Sequence, residues 1–286
     1  MSDKKETAQN ENNLVEIIDK KGVETGVEKV LSQNINLIPQ NVVTGRIVAS
    51  AGFYISNRDD LMTLAKDAKL QMLYGVLKEA IVGCEAGLDY DIVPYKGKPT
   101  FVRKKEGWFK VIDLIKPAEI IRFTTNVVTT GDEFYFNPAT EEIKHELKGE
   151  KGQKYESVVG AYSYIRFANG FEKTVYLDKS DLDLLKNISP SGKSEFSPWN
   201  SNSLRMVKTK ATKELAKELF TLFSGRLNIA LQQAILSDET AVSRIDNNGN
   251  ILNDGVIYDP QIIPQTDEEE TPVSTQGGTL SLDEIV

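Results

Sequence analysis

The stretch VVGAYSYIRFANGFEKTVYL, residues 158–177, decides the fold class. Its β-branched and aromatic residues alternate with small or polar ones, which is typical of strands with one buried face. Ala168-Asn169-Gly170 interrupts the alternation, and Asn-Gly between two such runs is a strong signal for a hairpin. The stretch therefore predicts two antiparallel strands, residues 158–167 and 171–177, joined by a tight turn.

Further strand patterns precede this hairpin. Tyr90–Val102 predicts two short strands around a tight connection at Lys96-Gly97-Lys98-Pro99. Residues 120–130 are rich in β-branched side chains, and Gly131-Asp132 turns that strand into a second one at 134–136. The sequence thus predicts a set of antiparallel strands in the middle of the chain.

Helical periodicity flanks the strands. Apolar residues spaced for one helix face predict helices over residues 57–86, 105–116, 178–185, 203–223 and 226–236. The order of helix, antiparallel strands and helices predicts an α+β fold, an antiparallel sheet with packed helices. We expect a core at 31–240, between a flexible segment at 1–30 and an acidic tail at 241–286.

The composition argues against several classes of protein. Of 286 residues, 40% are hydrophobic and 27% charged, which is ordinary for a globular protein, and no apolar run reaches the roughly 18 residues of a membrane span. The polar stretch Met1–Asn13 has no apolar signal core, so secretion is not expected. One cysteine, Cys84, and one histidine, His145, exclude a disulfide within the chain and a two-histidine or multi-thiolate metal site. We expect a cytoplasmic protein without metal or cofactor, with His145 at the surface.

Charge is distributed unevenly along the chain. The net charge is −8, but residues 90–215 hold 21 basic and 17 acidic residues, whereas residues 237–286 hold 1 basic and 11 acidic residues. An acidic C-terminal segment therefore masks a mildly basic middle. The overall acidity is consequently no argument against a polyanionic partner.

The first candidate site lies between Lys96 and Lys116, where seven basic residues meet two acidic ones. Tyr95, Phe101, Trp108 and Phe109 are interleaved with them. Basic side chains pair with phosphates and aromatic faces stack with bases, so this composition suits a nucleic-acid groove. The alternative is that the aromatic residues belong to the core and the lysines to a solvated hairpin edge.

The second candidate site is the predicted helix 203–223. At about 100° per residue, Lys210, Lys213 and Lys217 form a basic stripe, whereas Lys208 falls inside the apolar arc. A lysine in that arc either extends its ammonium to solvent, pairs with a carboxylate or faces a groove. The chain has no GxxxxGKS or GxxxxGKT motif, so any DNA transaction here is expected to be independent of ATP.

At these two segments the sequence resembles the RecT family of phage and prophage single-strand annealing proteins. The resemblance rests on YDIVPY (90–95) with Lys98, Phe101 and Gly107-Trp108, and on the glycine–acidic–phenylalanine turn within 128–143. It continues through the hairpin 158–176, Pro198-Trp199, Met206, Lys208 and Lys213, and covers about residues 84–220.

This resemblance implies an ATP-independent protein of homologous recombination that binds single-stranded DNA, pairs complementary strands and performs no bond chemistry. It also implies a core similar to the Rad-type annealing proteins and a homo-oligomer in the form of a ring or filament. The implied partners are single-stranded DNA, the annealed duplex intermediate, a phage 5′→3′ exonuclease and the host single-strand binding protein. The implied setting is the cytoplasm of a bacterium that carries the phage or prophage.

We expect basic side chains of both segments to hold phosphates, and two aromatic ones to support the bases or the groove wall. The candidate DNA-binding residues are Tyr95, Lys96, Lys98, Arg103, Lys104, Lys105, Trp108, Arg205, Lys208, Lys210 and Lys213. One rival reading is an oligomeric structural or adaptor protein of phage assembly without annealing activity. A nuclease is a second rival, but it requires a cluster of acidic metal ligands that the sequence does not offer convincingly.

Overall fold

The computed structural model describes residues 18, 22–148, 154–189, 197–237, 244–245 and 251–252. Helices and antiparallel strands both contribute to it, which confirms the α+β fold class. None of the helices in these ranges is both long enough and apolar enough to cross a membrane.

The helices are α1 (Val23–Gln33), α2 (Thr44–Ser56), α3 (Asp59–Met62), α4 (Lys66–Ile81), α5 (Lys105–Ile115), α6 (Lys179–Ile188), α7 (Pro198–Ser201), α8 (Ser203–Phe223) and α9 (Ile229–Leu236). The strands are β1 (Tyr90–Tyr95), β2 (Lys98–Arg103), β3 (Ile120–Thr129), β4 (Glu133–Asn137), β5 (Glu142–Glu146), β6 (Val158–Phe167), β7 (Glu172–Asp178), β8 (Arg244–Ile245) and β9 (Ile251–Leu252).

The central sheet has the strand order β3-β6-β7, and both pairings are antiparallel. Ser163 of β6 pairs with Thr125 on one side and Val175 on the other. The Ser163 and Thr125 hydroxyls lie 2.7 Å apart, and Thr212 of α8 lies 3.1 Å from Thr125. Because side chains alternate along a strand, this face of the sheet is the one that α8 covers.

The β4–β5 hairpin lies over the opposite face of the same sheet. Tyr162 is the neighbour of Ser163 in β6, so its side chain points to the opposite face of the sheet. Its ring stacks with that of Phe134 of β4, with a centroid distance of 6.0 Å. Phe134 also contacts Tyr176 of β7, with a centroid distance of 4.9 Å. The sheet is therefore placed between helix α8 and the β4–β5 hairpin.

Helix α4 is the centre of the helical half of the molecule. Every residue from Gln71 to Ile81 is buried, because α1, α2, α9 and the β1–β2 hairpin all pack around it. A helix that is surrounded on all sides has no polar face to give to solvent. This explains why Lys78 and Glu79, both nearly inaccessible, lie in the core.

The N-terminal helices differ from the expected single helix over 57–86. Within this range the chain instead forms α3 and α4, with a break at residues 63–65, and the separate helix α2 ends just before it at Ser56. Asn57 Nδ2 donates to the Phe53 carbonyl over 2.7 Å, and Thr63 Oγ1 donates to the Asp59 carbonyl over 2.8 Å. Side chains that bond to the nearby backbone in this way favour helix ends over helix interiors.

The core also extends into the segment that was expected to be flexible. Val27 and Val30 of α1 are completely buried. Residues 1–17 lie outside the described part of the chain, as do residues 253–286 of the expected acidic tail. The predicted helices α5, α6 and α9 and the predicted strands β1, β2, β3, β4, β6 and β7 lie within a few residues of the expectation, and α8 has the expected bounds. The sequence patterns did not predict α1, α2, α7, β5, β8 and β9.

Candidate nucleic-acid interface

The β1–β2 hairpin ends in a two-residue turn at Lys96-Gly97. Both residues have positive φ, 50° and 76°, which is the conformation of the hairpin turn whose twist matches its strands. Lys96 is exposed, Tyr95 and Lys98 are half-buried, and the Lys96 ammonium lies 5.3 Å from the Tyr95 ring. The hairpin tip thus presents two cations and one aromatic ring to solvent.

The other face of this hairpin packs onto α4. The ring of Phe101 lies so close to Gly75 that a Cβ there would be 2.1 Å from its Cε2 atom. Tyr90 packs beside Phe101 with a centroid distance of 5.4 Å. The aromatic residues of the inner face therefore belong to the core, which fixes the hairpin and leaves its lysines outside.

Arg103 lies in the core and not on the surface as expected. Its guanidinium is 2.7 Å from Glu79 Oε2, and Nη2 donates to the Ala234 carbonyl of α9 over 2.7 Å. The residue is 2% exposed. A buried charge requires hydrogen-bonding partners, and Arg103 of β2 finds them on α4 and α9. Arg103 therefore joins these three elements. This placement removes it from the direct DNA contacts.

Trp108 is also a core residue. It is 2% exposed, on the inner face of α5 with Val111, Ile112 and Ile115. The Arg103 guanidinium lies 5.2 Å from its ring centroid. A base cannot stack on a ring that solvent does not reach, so Trp108 is removed from the predicted base contacts.

Two lysines lie at the beginning of α5. Lys104 is partly buried, with Nζ 2.8 Å from Asp91 Oδ1, and Lys105 is half-buried. Gly107 seats this helix start close to the preceding loop, since a Cβ there would lie 2.5 Å from the Asp89 carbonyl oxygen. Asp89 is in turn held by Lys110, whose Nζ lies 2.6 Å from Oδ2.

The basic residues of α8 do not share one environment. Arg205 is exposed, Lys208 and Lys213 are half-buried, and Lys210 is only 8% exposed. The burial of Lys210 arises because α8 packs against both the sheet and α5, so that more than one of its faces is covered. Lys208 and Lys213 are separated by about 140° around the helix, so they point in different directions.

The two candidate segments meet where α5 packs beside α8. Arg205 Nη2 lies 4.0 Å from Glu106 Oε2, and Lys213 Nζ lies 5.6 Å from the Trp108 ring centroid. We use the name helix-pair surface for Lys104, Lys105, Arg205 and Lys213. These four cations come from two segments about 100 residues apart in sequence. Lys104 immediately precedes α5, and the other three lie on α5 and α8.

The match to a known protein family includes both segments that form this surface. The sequence model of the RecT family matches residues 89–251, more than half of the chain. The chain belongs to the RecT family. The matched region includes the β1–β2 hairpin, the central sheet, α5 and α8, whereas Glu79 and the other residues of α1–α4 precede it.

One curated relative of this RecT-family chain is the uncharacterized protein YqaK of Bacillus subtilis (strain 168). The two sequences are 28% identical over 178 residues, which is 60% of this chain and 58% of the relative. The chain thus matches a little over half the length of that relative.

A groove lies on the face of the sheet that carries the β4–β5 hairpin in this RecT-family chain. This groove, of about 790 Å³, is lined by residues of β5, by the loop before it, and by Tyr162 and Tyr164 of β6. Its charged lining residues are Arg122, Lys173, Glu141, Glu142 and Glu172. Lys173 is paired with Glu141 at 2.7 Å, so this lining suits a polyanion less well than the helix-pair surface does. Tyr162, Tyr164 and Arg166 occupy every second position of β6, and this alternation in the sequence predicts that they lie on the same face of the sheet.

His145 is buried, whereas the sequence suggested a surface position. Its side chain is 3% exposed, with Nε2 3.3 Å from Asp132 Oδ2. Nδ1 lies 3.3 Å from the Tyr162 hydroxyl, so the histidine joins the β4–β5 hairpin to the sheet. Among the described residues, no group of three or more acidic, histidine or cysteine side chains is arranged to hold a metal ion.

Cys84 is completely buried. Burial raises the pKa of its thiol, and the nearby carboxylate of Glu79 adds to the effect. A buried neutral thiol is a poor nucleophile, since the thiolate is the reactive form. Cys84 is therefore interpreted as a small core residue.

Proposed function

We propose that this chain binds single-stranded DNA and anneals complementary strands without ATP. The observation that carries the proposal is the meeting of α5 and α8, whose four cations form the helix-pair surface within the region that matches the RecT family. The proposed mechanism is physical positioning of the strands and involves no bond chemistry.

The proposed contacts are to phosphates. Arg205 has a side chain that is 64% exposed, and its Glu106 contact at 4.0 Å is a weak surface pair that a phosphate can replace. Lys105 and Lys213 are half-buried, and the Lys213 ammonium lies 5.6 Å from the Trp108 ring centroid. Contacts to phosphate are independent of sequence, which suits the annealing of any pair of complementary strands.

The hairpin tip is a proposed extension of this surface. Lys98 begins β2 and lies about 17 Å from Arg103 at its other end, since five steps of about 3.3 Å separate them. Lys96 lies in the turn just before β2. Tyr95 supplies a partly exposed ring beside Lys96. A single strand of DNA that reaches from the helix-pair surface to the hairpin tip would pass along the outer face of the hairpin.

One chain offers only a short site for DNA. Helix α8 has 21 residues and is therefore about 32 Å long. At about 3.4 Å per nucleotide, this corresponds to roughly nine nucleotides. Annealing longer strands requires neighbouring copies that continue the surface, so we include a homo-oligomer, ring or filament, in the proposal. A 5′→3′ exonuclease that generates the single strands, and the host single-strand binding protein, are the proposed protein partners.

The test is an annealing assay without nucleotide. Two complementary oligonucleotides are added in succession to the purified protein, duplex formation is followed by fluorescence transfer, and particle size is followed by light scattering. We expect duplex formation well above the rate without protein, together with growth of the particles on DNA. Large particles without retention of single-stranded DNA would favour the structural or adaptor protein instead.

Variants connect the assay to the site. Lys105→Ala together with Arg205→Ala is expected to slow annealing strongly. Lys144→Ala is the matched control, because Lys144 is 73% exposed on the β4–β5 hairpin, on the opposite side of the sheet from α8. Equal loss in both variants would indicate a general charge effect and would contradict the proposed surface.

A further inference from the structure

Trp108 lies between the buried ion pair of the core and the helix-pair surface. Glu79 Oε2 accepts from Arg103 Nε over 2.7 Å, and the Arg103 guanidinium lies 5.2 Å from the Trp108 ring. The same ring lies 5.6 Å from the ammonium of Lys213. The contacts thus run from α4 through β2 and α5 to α8.

Each inner member of this series is fixed by packing. Glu79 is 1% exposed, and Arg103 and Trp108 are each 2% exposed. Arg103 is also bonded to the Ala234 carbonyl of α9 over 2.7 Å. The orientation of the indole is therefore set by the core.

Lys213 is the member that reaches the surface. It is half-buried, and the distance to the ring is within the roughly 6 Å over which an aromatic face attracts a cation. A lysine loses rotamer entropy when it is immobilised. An ammonium that the ring already holds loses less of this entropy on binding a phosphate, which is the general benefit of preorganisation.

We infer that Trp108 is a positioning residue that holds Lys213 for a DNA phosphate. This inference rests on the proposed function of the helix-pair surface. It assigns to Trp108 a role in DNA binding that acts through Lys213, without contact between the indole and a base. The Glu79–Arg103 pair acts one step further back, because it orients the ring.

A double-mutant cycle tests the inference. Single-stranded oligonucleotide affinity is measured by fluorescence anisotropy for the wild-type chain, Trp108→Leu, Lys213→Ala and the double variant. We expect Trp108→Leu to weaken binding about two- to fivefold, the effect of losing one cation–π contact. In the Lys213→Ala background the same change is expected to have no further effect on affinity. Trp108→Phe keeps an aromatic face and is expected to remain within about twofold of the wild type.

Two results would overturn the inference. One is an equal loss of affinity from Trp108→Leu with and without Lys213, since a purely structural role of the indole acts regardless of the lysine. The other is unchanged affinity of folded Trp108→Leu. If instead Lys213→Ala itself leaves binding intact, Lys213 is not a phosphate contact and the proposed surface is contradicted at that residue.

Tryptophan fluorescence supplies a second readout that does not require a Trp108 variant to fold. An ammonium beside an indole perturbs its emission, and phosphate binding by Lys213 changes this perturbation. We expect oligonucleotide to change the emission of the wild-type chain and to change that of Lys213→Ala much less. Trp199 is buried and is the same in both proteins, so it serves as an internal reference. Identical changes in the two proteins would contradict the inference.

Discussion

Arg103 and Glu79 form an ion pair in the core, with Nε 2.7 Å from Oε2 and both side chains almost inaccessible to solvent. Lys78 adds a second cation at 3.4 Å from the other carboxylate oxygen. The pair joins α4, which precedes the RecT-family match, to β2, which lies within it. Helix α4, before residue 89, therefore shares a core with β2, which leads directly into α5 and the proposed DNA surface.

Breaking this pair is expected to destabilise the protein severely. Removal of one partner leaves a buried charge without compensation, which costs about 3–5 kcal/mol. Urea denaturation of Glu79→Gln and Arg103→Met, singly and together, measures the cost. We expect the double variant to be less destabilised than the sum of the single variants. Additive losses would show that the two side chains do not interact.

Gly107→Ala is expected to lower the free energy of unfolding by about 1–3 kcal/mol. The added Cβ would lie 2.5 Å from the backbone oxygen of Asp89, which cannot move aside as a flexible side chain can. Gly45→Ala is the matched control, because Gly45 lies in α2 and a Cβ added there would have no neighbouring atom within 4 Å. We expect it to be neutral or stabilising, since alanine favours helices. Thermal melts of both variants compare them, and equal melting temperatures would contradict the close approach at Gly107.

The start of α6 provides a pH-dependent prediction. The backbone N–H of Asp181, followed by the Ser180 hydroxyl, lowers the pKa of the capping Asp178 below its ordinary value of 3.8. A lowered carboxyl pKa stabilises the fold above the ordinary value, and this stabilisation is lost as the pH falls through the lowered value. Asp178→Ala is expected to cost about 1 kcal/mol at pH 7, and less near pH 3.

Asp178→Asn is the control for this prediction. Asparagine also caps helices but does not titrate, so the cap of this variant is expected to persist at both pH values. The difference in free energy of unfolding between this variant and the wild type is therefore expected to change with pH. Denaturation at the two pH values measures both variants. A cost of Asp178→Ala that is the same at pH 3 and pH 7 would be inconsistent with a charged cap.

The hairpin tip makes a separate prediction about DNA. Lys96→Ala with Lys98→Ala is expected to weaken single-strand binding without lowering thermal stability, because Lys96 is exposed and Lys98 half-buried. Exposed substitutions of this kind usually change stability by less than about 0.5 kcal/mol. Filter binding at fixed salt measures the affinity. Unchanged affinity would confine the interface to the two helices.

Much of this fold is predictable from local sequence. Asn169-Gly170 and the alternation on both sides predict the β6–β7 hairpin, and Lys96-Gly97 marks the turn between β1 and β2. The period of apolar residues predicts α8 from Ser203 to Phe223. These features are predictable because turns and helices are determined largely by residues that are close together in sequence.

The burial of Arg103, Lys210 and His145 is not predictable in this way. Arg103 finds its partners 24 residues before it and 131 residues after it, and His145 finds Tyr162 on another strand. A cationic residue in a basic run is indistinguishable from its neighbours until the fold supplies a buried carboxylate. The fold brings the two predicted segments side by side, but several of the predicted site residues have core roles.

The salt dependence of single-strand binding tests the central claim most directly. The logarithm of affinity against the logarithm of salt concentration has a slope of about −0.7 per phosphate contact for single strands. We predict that Lys105→Ala, Arg205→Ala and Lys213→Ala each make the slope shallower by about 0.7, and that Lys144→Ala leaves it unchanged. Wild-type slopes in all four variants would contradict the assignment of DNA binding to the helix-pair surface.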